Sequence, residues 1–365
     1  MRVAFFHELR SGGARRVTNE FARQLIKRGH VVDLYTIGVK KNDEKNFYKN
    51  IYNYRFVPKK WNGHNWKARL YKDSVELIKL YFLDKKIAKD ISKRKYDFAY
   101  IAASDFIESP FILNFLKIPK FFYCNDPYYR MVYEKELFNK KGVNGYKIFY
   151  ENINKFIRKY LDKWNVKQAD FIIAVSKYTN NSFKNVYKRK ADVVYPGVDA
   201  SYFTPKRIKK YIDVLYVGSR EFLDGYALFK KTLREVKSEI KVKEVLVEEE
   251  WLNDEQLLAL YRRSKILAAT AFREPLGLVP LEAMSCGVVV VAVDDGAHRE
   301  TVVDKVTGFV LKKNPKEIGN KIDWLLNNPK MLKGMSCNAR DLTAKNWNWE
   351  KRGGELEDLL LRKII

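Results

Sequence analysis

Two successive series of short apolar runs, each alternating with helical segments, constrain this chain more than any other feature. Residues Arg2–Phe6 form an apolar run, followed by a polar loop that contains Gly12 and Gly13. Val17, Phe21 and Leu25 then recur at helical spacing up to Lys27-Arg28-Gly29, and Val31–Thr36 is a second apolar run. Strand, glycine turn, helix and strand within about 35 residues make a βαβ unit, and that unit requires a parallel sheet. Phe98–Ala102, Lys120–Tyr123, Phe171–Val175 and Val193–Tyr195 read as further strands, with helical patterns over Ser74–Lys93 and Tyr146–Trp164. The turn-rich stretch from Tyr195-Pro196-Gly197-Val198-Asp199 to Pro205 interrupts the alternation. It resumes with strands at Asp213–Val217, Ile266–Ala269, Val288–Val293 and Phe309–Leu311 and a helix near Leu281–Ser285. The simplest architecture is two βα domains joined near 196–205.

The size supports that division. At 365 residues with 46% apolar and 14% aromatic content, the chain can fill two cores, which excludes disorder. No run reaches the length of a membrane span, and the start MRVAFFHELRSGG lacks the apolar stretch of a signal peptide. Cys124, Cys286 and Cys337 form neither a disulfide framework nor a zinc pattern, and with four histidines a metal site of that type is not expected. These features predict a cytoplasmic protein, able to sit peripherally on the inner face of a membrane. The net charge of +26 is uneven: residues 1–200 carry +21 and the remainder +5. The first half is therefore expected either to meet something anionic or to be simply Lys-rich and soluble.

The most informative stretch runs from Arg273-Glu274-Pro275-Leu276-Gly277 through Leu278-Val279-Pro280-Leu281-Glu282 to Cys286-Gly287. A helix starting near Gly277 points the free N–H groups of Gly277, Leu278 and Val279 at one crevice, an anion site suited to a diphosphate. Pro280 is tolerated there because it falls in the first turn. Glu282, about a turn on, can accept two hydroxyl hydrogen bonds of the kind a ribose diol offers. The plain alternative is a capped helix with incidental glutamates.

Glu274 through Glu282 resembles the E-x7-E motif of retaining family 4 glycosyltransferases. The surrounding Glu-Pro-Leu-Gly-Leu, the Leu-Glu-Ala-Met-Ser-Cys-Gly, the valine-rich strand, and then Gly296, Glu300 and Thr307-Gly308-Phe309 fit that pattern. Gly12-Gly13 resembles the family's glycine loop. Ala169–Ser176 and Tyr195–Asp199 resemble its interdomain signature, and Trp347-Asn348-Trp349-Glu350 with the final helix its returning C-terminal segment. The resemblance implies a GT-B fold, two Rossmann-like α/β domains whose parallel sheets face a central cleft. It implies an acceptor domain over 1–196, a shortened donor domain over 197–345, and a terminal helix over 346–365 that returns to the first domain. The implied reaction moves a sugar from a nucleotide-diphosphate donor with retention, to a glycan, lipid or protein-linked acceptor. Glu282 would hold the ribose and Glu274 the donor sugar and diphosphate region; Gly277, Leu278 and Val279 would offer amides, and Gly12 and Gly13 join the donor-binding set. Stabilising the leaving diphosphate is then the main task, one that helix N-termini and basic side chains perform without a metal or other cofactor.

Three departures stand against this pattern. Where the family carries Arg and Lys around the first strand of the second domain, Ser219 and Asp224 stand between Gly218 and Gly225, with Arg220 one place late. The family's acceptor-domain histidine is replaced by Asn125, which can form hydrogen bonds but cannot act as a base. About 30 residues separate Gly218 from Glu248-Glu249-Glu250-Trp251, too few for the usual extra strand, glycine turn and helix. These losses raise the alternative of a non-catalytic nucleotide-sugar-binding protein. A nucleic-acid-binding protein is the other alternative the charge invites, but no helix-turn-helix, zinc-finger or RNP signature accompanies it. An epimerase on the same scaffold lacks the E-x7-E support.

The helix over Tyr146–Trp164 lines Phe149, Ile153, Phe156, Ile157, Tyr160, Leu161 and Trp164 along one stripe. Lys147, Lys155, Arg158, Lys159 and Lys163 occupy much of the rest. Such a helix suits an anionic bilayer or a lipid-phosphate acceptor; at the same spacing it also serves as an ordinary core-packing helix. The preceding segment, Tyr128–Lys147, reads as a mobile flap near the acceptor site. His7, after the first strand, and His298, in Gly-Ala-His-Arg-Glu, are further candidates for ligand contact.

Overall fold

The computed structural model describes residues 1–9, 12–38, 47–59, 66–107, 109–124 and 145–364. Asn125, and all of the flap segment but Gly145–Lys147, lie outside them. The chain divides into two compact units: Met1–Val175 with Thr179–Val194 and Gly353–Ile365, and Tyr195–Arg352 with Ser176–Tyr178.

In the N-terminal unit, β1 (Arg2–Glu8), α1 (Gly13–Lys27), β2 (Val31–Ile37) and β3 (Asn50–Tyr54) are followed by α2 (Trp66–Tyr71). One π-helical turn over Lys72–Glu76 joins α2 to α3 (Leu77–Ser92), which leads into β4 (Phe98–Ser104) and β5 (Lys120–Cys124). Then come α4 (Gly145–Lys167), β6 (Phe171–Ala174), α5 (Lys177–Tyr187) and β7 (Asp192–Val193). Every strand pair is parallel, in the order β3-β2-β1-β4-β5-β6-β7. The chain order reverses between β1 and β4, the point at which open α/β sheets present a crevice at their strand ends. Phe6, Tyr35, Ile101, Phe122 and Ile172 belong to the core on one face of this sheet, closed by Leu80, Ile87 and Ile91 of α3.

The second unit comprises β8 (Ile212–Gly218), α6 (Tyr226–Glu235), β9 (Val242–Leu246), α7 (Asp254–Arg263) and β10 (Ser264–Ala269). It continues through α8 (Leu278–Ser285), β11 (Val289–Val293), α9 (His298–Thr301), β12 (Gly308–Leu311), α10 (Pro315–Leu326) and α11 (Pro329–Asn346). Its parallel sheet has the order β12-β11-β10-β8-β9, so the reversal falls between β8 and β10. The interval between Gly218 and Glu248 holds a short 3-10 turn at Phe222–Asp224, α6 and the edge strand β9, and the sheet has five strands. Val289, Val291 and Val293 of β11 pack with Ile266, Phe309, Ile318 and Ile322 in the core.

The turn at Tyr195–Asp199 packs on the chain just before α12 (Trp349–Ile364). Val198 donates its amide to Trp347 O at 2.6 Å, and a Cβ on Gly197 would meet the Trp349 amide nitrogen at 2.8 Å. The remainder of α12 belongs to the N-terminal unit: Gly353 lies against Gln24, and Glu357 meets Arg28 at 3.2 Å and His30 at 2.6 Å.

Candidate functional site: the β8–β10 crossover

The reversal point of the second sheet is where the sequence motifs converge. The loop after β10, residues 270–277, is clamped on both sides by backbone contacts. From the β8 side, Leu223 O accepts the Phe272 amide at 2.6 Å, and Gly225, at φ +69°, sits so close to Thr270 that a Cβ would lie 1.8 Å from its carbonyl oxygen. From the β11 side, Asp295 Oδ1 accepts the Arg273 amide at 3.0 Å and the Ala297 amide donates to Glu274 O at 2.8 Å. Gly296, at φ +61°, lies directly against the backbone of Arg273 and Glu274. Arg273 itself has φ 56°, a conformation a non-glycine side chain adopts at a cost. Glu274 is thus half-buried on a loop whose shape its neighbours impose.

Helix α8 begins immediately beyond. Gly277, in the left-handed region at φ 91°, is its N-cap residue; no side chain caps the helix and no acid stands in its first turn. The Leu278 and Val279 amides and the positive end of the helix dipole face a site to which the protein brings no carboxylate of its own in that turn. Glu282, one turn along, is only 4% exposed, and its Oε2 accepts the Tyr261 hydroxyl of α7 at 3.1 Å. Tyr261 was not legible as a site residue; its signal, an aromatic on the helix preceding β10, is shared with any core position.

The loop after β8 takes a different form from the expected diphosphate grip. Asp224 Oδ2 accepts the Ser219 amide at 2.7 Å and also the Ser219 hydroxyl, so the two residues that replace the Arg and Lys hold each other. Arg220 is about half exposed and its guanidinium is paired with Glu249, while its amide donates to Glu248 at 2.7 Å. That amide bond is the main cause that holds the Glu248 carboxyl below its ordinary range.

Both histidine candidates are interior residues. His7 lies within β1, fully buried, with Nδ1 accepting the Leu9 amide at 3.3 Å and meeting the Thr36 hydroxyl at 3.3 Å. His298 is 1% exposed and donates Nε2–H to Ala271 O at 3.3 Å, bracing the same clamped loop from below. Burial pushes its pKa down to about 4, so it is a neutral imidazole at physiological pH. Glu300 accepts the Lys177 and Tyr178 amides at 2.9 and 2.8 Å and the Tyr195 hydroxyl at 2.7 Å, which gives it a structural task. Of the candidate residues, Glu274, Gly277, Leu278, Val279, Glu282 and Arg220 all lie in the C-terminal unit. Gly12 and Gly13 belong to the N-terminal unit, where Gly12 is the N-cap of α1 with open space around it. Among the described residues no group of three or more His, Cys, Asp or Glu is placed to hold a metal ion, and no helix is long and apolar enough to cross a membrane.

A parallel-sheet crossover bearing an uncapped helix N-terminus between two glutamates matches the pattern that the sequence led one to expect of a GT-B fold, and comparison with known proteins supports that fold. The chain belongs to Glycosyltransferase Family 4, whose family model matches residues 11–202; the model described as Glycosyl transferases group 1 matches residues 229–342. The GDP-mannose-dependent alpha-(1-6)-phosphatidylinositol monomannoside mannosyltransferase of Mycolicibacterium smegmatis is 28% identical over 237 residues, 53% of this chain and 62% of that protein. The chain spans about three fifths of the length of the curated relatives it matches. Among solved structures, the sucrose-phosphate synthase of Thermosynechococcus elongatus superposes with a TM-score of 0.75 at 16% identity, over 99% of this chain and 98% of that one. Anabaena HepE in complex with UDP-glucose gives 0.69 at 16% identity, over 99% and 100%. The fold is the α/β fold of these GT-B neighbours.

Proposed function

We propose that the chain transfers a sugar from a nucleotide-diphosphate donor, with retention of anomeric configuration, to a glycan, lipid or protein-linked acceptor. The observation that carries this reading is the uncapped α8 N-terminus with Glu274 before it and buried Glu282 behind it, at the crossover of the C-terminal sheet. Glu282 accepts the ribose hydroxyls through the carboxylate that Tyr261 orients. The amides of Gly277, Leu278 and Val279 meet the diphosphate or sugar hydroxyls, and Glu274, on its clamped loop, positions the transferring sugar. As the glycosidic bond to the diphosphate breaks, negative charge grows on the leaving oxygen; the helix N-terminus stabilises it, and the diphosphate takes the proton of the incoming hydroxyl on the same face. No metal is needed for this division of labour. The UDP-glucose held by HepE and the GDP-mannose named for the mycobacterial relative support a nucleotide-sugar donor.

The test is direct binding of UDP, GDP and ADP, and of their common sugar conjugates, to wild type and Glu282→Ala. Binding of one nucleotide, lost in the variant, is expected; binding of none would remove the donor site. A non-catalytic binding protein is the second reading, favoured by one observation: the Ser219–Asp224 pair and the Arg220–Glu249 pair leave no basic grip on the loop after β8. Donor binding without transfer or hydrolysis would select it. The anomeric configuration of the product, read by proton NMR, decides retention.

A further inference from the structure

Helix α4 is seated with its polar side inward. Its buried residues are Asn154, Asp162, Asn165 and Val166. Asp162 accepts hydrogen bonds from the Ser109 hydroxyl at 2.8 Å and the Tyr187 hydroxyl at 2.5 Å. Asn165 donates to Ser109 O at 2.7 Å and accepts from Asn114 at 2.6 Å, while Asn154 donates to Asp73 at 3.0 Å. These bonds fix the rotation of the helix, because turning it would strand a carboxylate and two amides in an apolar interior. The aromatic stripe is left outside: Phe149, Phe156 and Tyr160 are 66%, 72% and 66% exposed, and Ile153 and Ile157 are also exposed. Of the stripe, only its end turns inward: Leu161 packs against the core and Trp164 stacks on Tyr81, while the other five residues do no core packing.

The exposed stripe does not stand alone. The α2–α3 rod runs parallel beside α4, with Arg69 on Glu151 at 3.2 Å, Asp73 accepting from Tyr150 at 3.0 Å, and the Tyr81 and Trp164 rings stacked at 6.5 Å. Ile78 and Phe82, 57% and 61% exposed, lie about a quarter turn outward from Tyr81, on the side shared with the stripe. Two parallel helices thus present one apolar face, where a soluble monomer ordinarily scatters such residues singly. Its edges are basic: helical spacing puts Lys159 and Lys163 beside Phe156, and Lys85 and Lys89 beside Phe82.

We propose that this α3–α4 face is an interfacial membrane-docking surface whose partner is an anionic lipid bilayer, with the aromatic side chains entering the headgroup boundary and the lysines contacting anionic headgroups. The charge argues for the bilayer over a second copy, since pairing two such faces would oppose their lysine rows. Each lysine near an anionic leaflet contributes about 1 kcal/mol, and the buried aromatics supply the part that salt does not screen. The proposal rests on the N-terminal unit alone and does not depend on the donor chemistry.

Co-sedimentation of the full chain with vesicles tests it, using phosphatidylcholine alone and phosphatidylcholine mixed with phosphatidylglycerol. Binding to the mixed vesicles only, weakened by salt, is expected. Phe149→Ser/Phe156→Ser/Tyr160→Ser should lower partitioning at least about tenfold, because each exposed aromatic contributes on the order of 1 kcal/mol when buried, and Lys159→Glu/Lys163→Glu should lower it with the aromatics intact. Phe149, Phe156, Tyr160 and Lys163 are exposed and Lys159 is half-buried, so thermal unfolding and nucleotide binding are measured on both variants and should stay at wild-type values. Equal binding to both vesicle types, binding by the variants equal to wild type, no binding at all, or a wild-type dimer that the serine variant turns into a monomer would each overturn the proposal.

Discussion

Gly296→Ala should separate turnover from donor binding. A Cβ at position 296 would lie 2.4 Å from both the amide nitrogen and the carbonyl oxygen of Glu274. These are backbone atoms with no rotamer to yield, and φ at this residue is +61°. The left-handed conformation costs an alanine about 1–2 kcal/mol and the overlap about 1–3 kcal/mol, so the C-terminal unit should lose about 2–5 kcal/mol of stability. Relieving the overlap must move Glu274 by about 1 Å, a misplacement on the scale that costs about 100-fold in rate. Nucleotide binding, anchored one turn into α8 by Glu282, should change only a few-fold. The assay is sugar transfer, or donor hydrolysis where the acceptor is not in hand, with calorimetric nucleotide binding and urea unfolding on the same preparations. Gly334→Ala, in α11 where nothing lies within 4 Å of the new Cβ, is the control and should stabilise by about 0.5–1 kcal/mol. A Gly296→Ala variant with wild-type turnover would show that the clamp on Glu274 has no part in the reaction.

Glu274→Gln keeps the shape of the side chain and removes its charge; turnover should fall about 100-fold with nucleotide affinity held within a few-fold, as measured by steady-state kinetics and calorimetry. Glu282→Ala should instead act on affinity, weakening nucleotide binding about 10- to 100-fold, the loss of charge-assisted hydrogen bonds of about 1.5–3 kcal/mol. A pH effect should come from the other unit. Glu8, at the end of β1, is fully buried beside the buried carboxyl of Asp84; burial raises its pKa to about 7 and raises that of Asp84 as well. The unfolded Glu8 ionises near 4.5 while the folded one keeps its proton, so the folded state binds more protons and stability falls as pH rises from about 4.5 to about 7. Glu8→Gln should flatten that limb by up to about 1.4 kcal/mol per pH unit in urea unfolding series from pH 4.5 to 8; an unchanged slope would refute the pairing.

The strands that sequence reading finds and misses divide by position in the sheet. Central strands such as β4 and β11, covered on both faces, are continuous apolar runs. The missed strands β3 and β9 are edges, with sequences NIYNY and VKEVL and half-exposed burial. Helix α3 shows a different limit: one apolar period over Ser74–Lys93 conceals a π-helical turn at Lys72–Glu76, because a single extra residue per turn barely disturbs the pattern. Within the site, the order Glu274, Gly277, Glu282 is legible because helix capping and dipole chemistry act over a few residues. The clamp is not: Gly225 and Gly296 meet Thr270 and Glu274 from 45 and 22 positions away, and only the fold brings them together. Glu8 and Asp84, 76 positions apart, are the same case. The orientation of α4 lies between these extremes. Its apolar stripe was plain, yet Asn154, Asp162 and Asn165 recur at i, i+8 and i+11, a second stripe made of residues that can each satisfy a buried partner. An amphipathic helix that carries short hydrogen-bonding side chains along one face has two ways to dock, and the choice turns on whether the body of the protein offers the hydroxyls and amides to meet them. Ser109, Asn114 and Tyr187 do so here, and that pairing is what leaves the aromatic face outside.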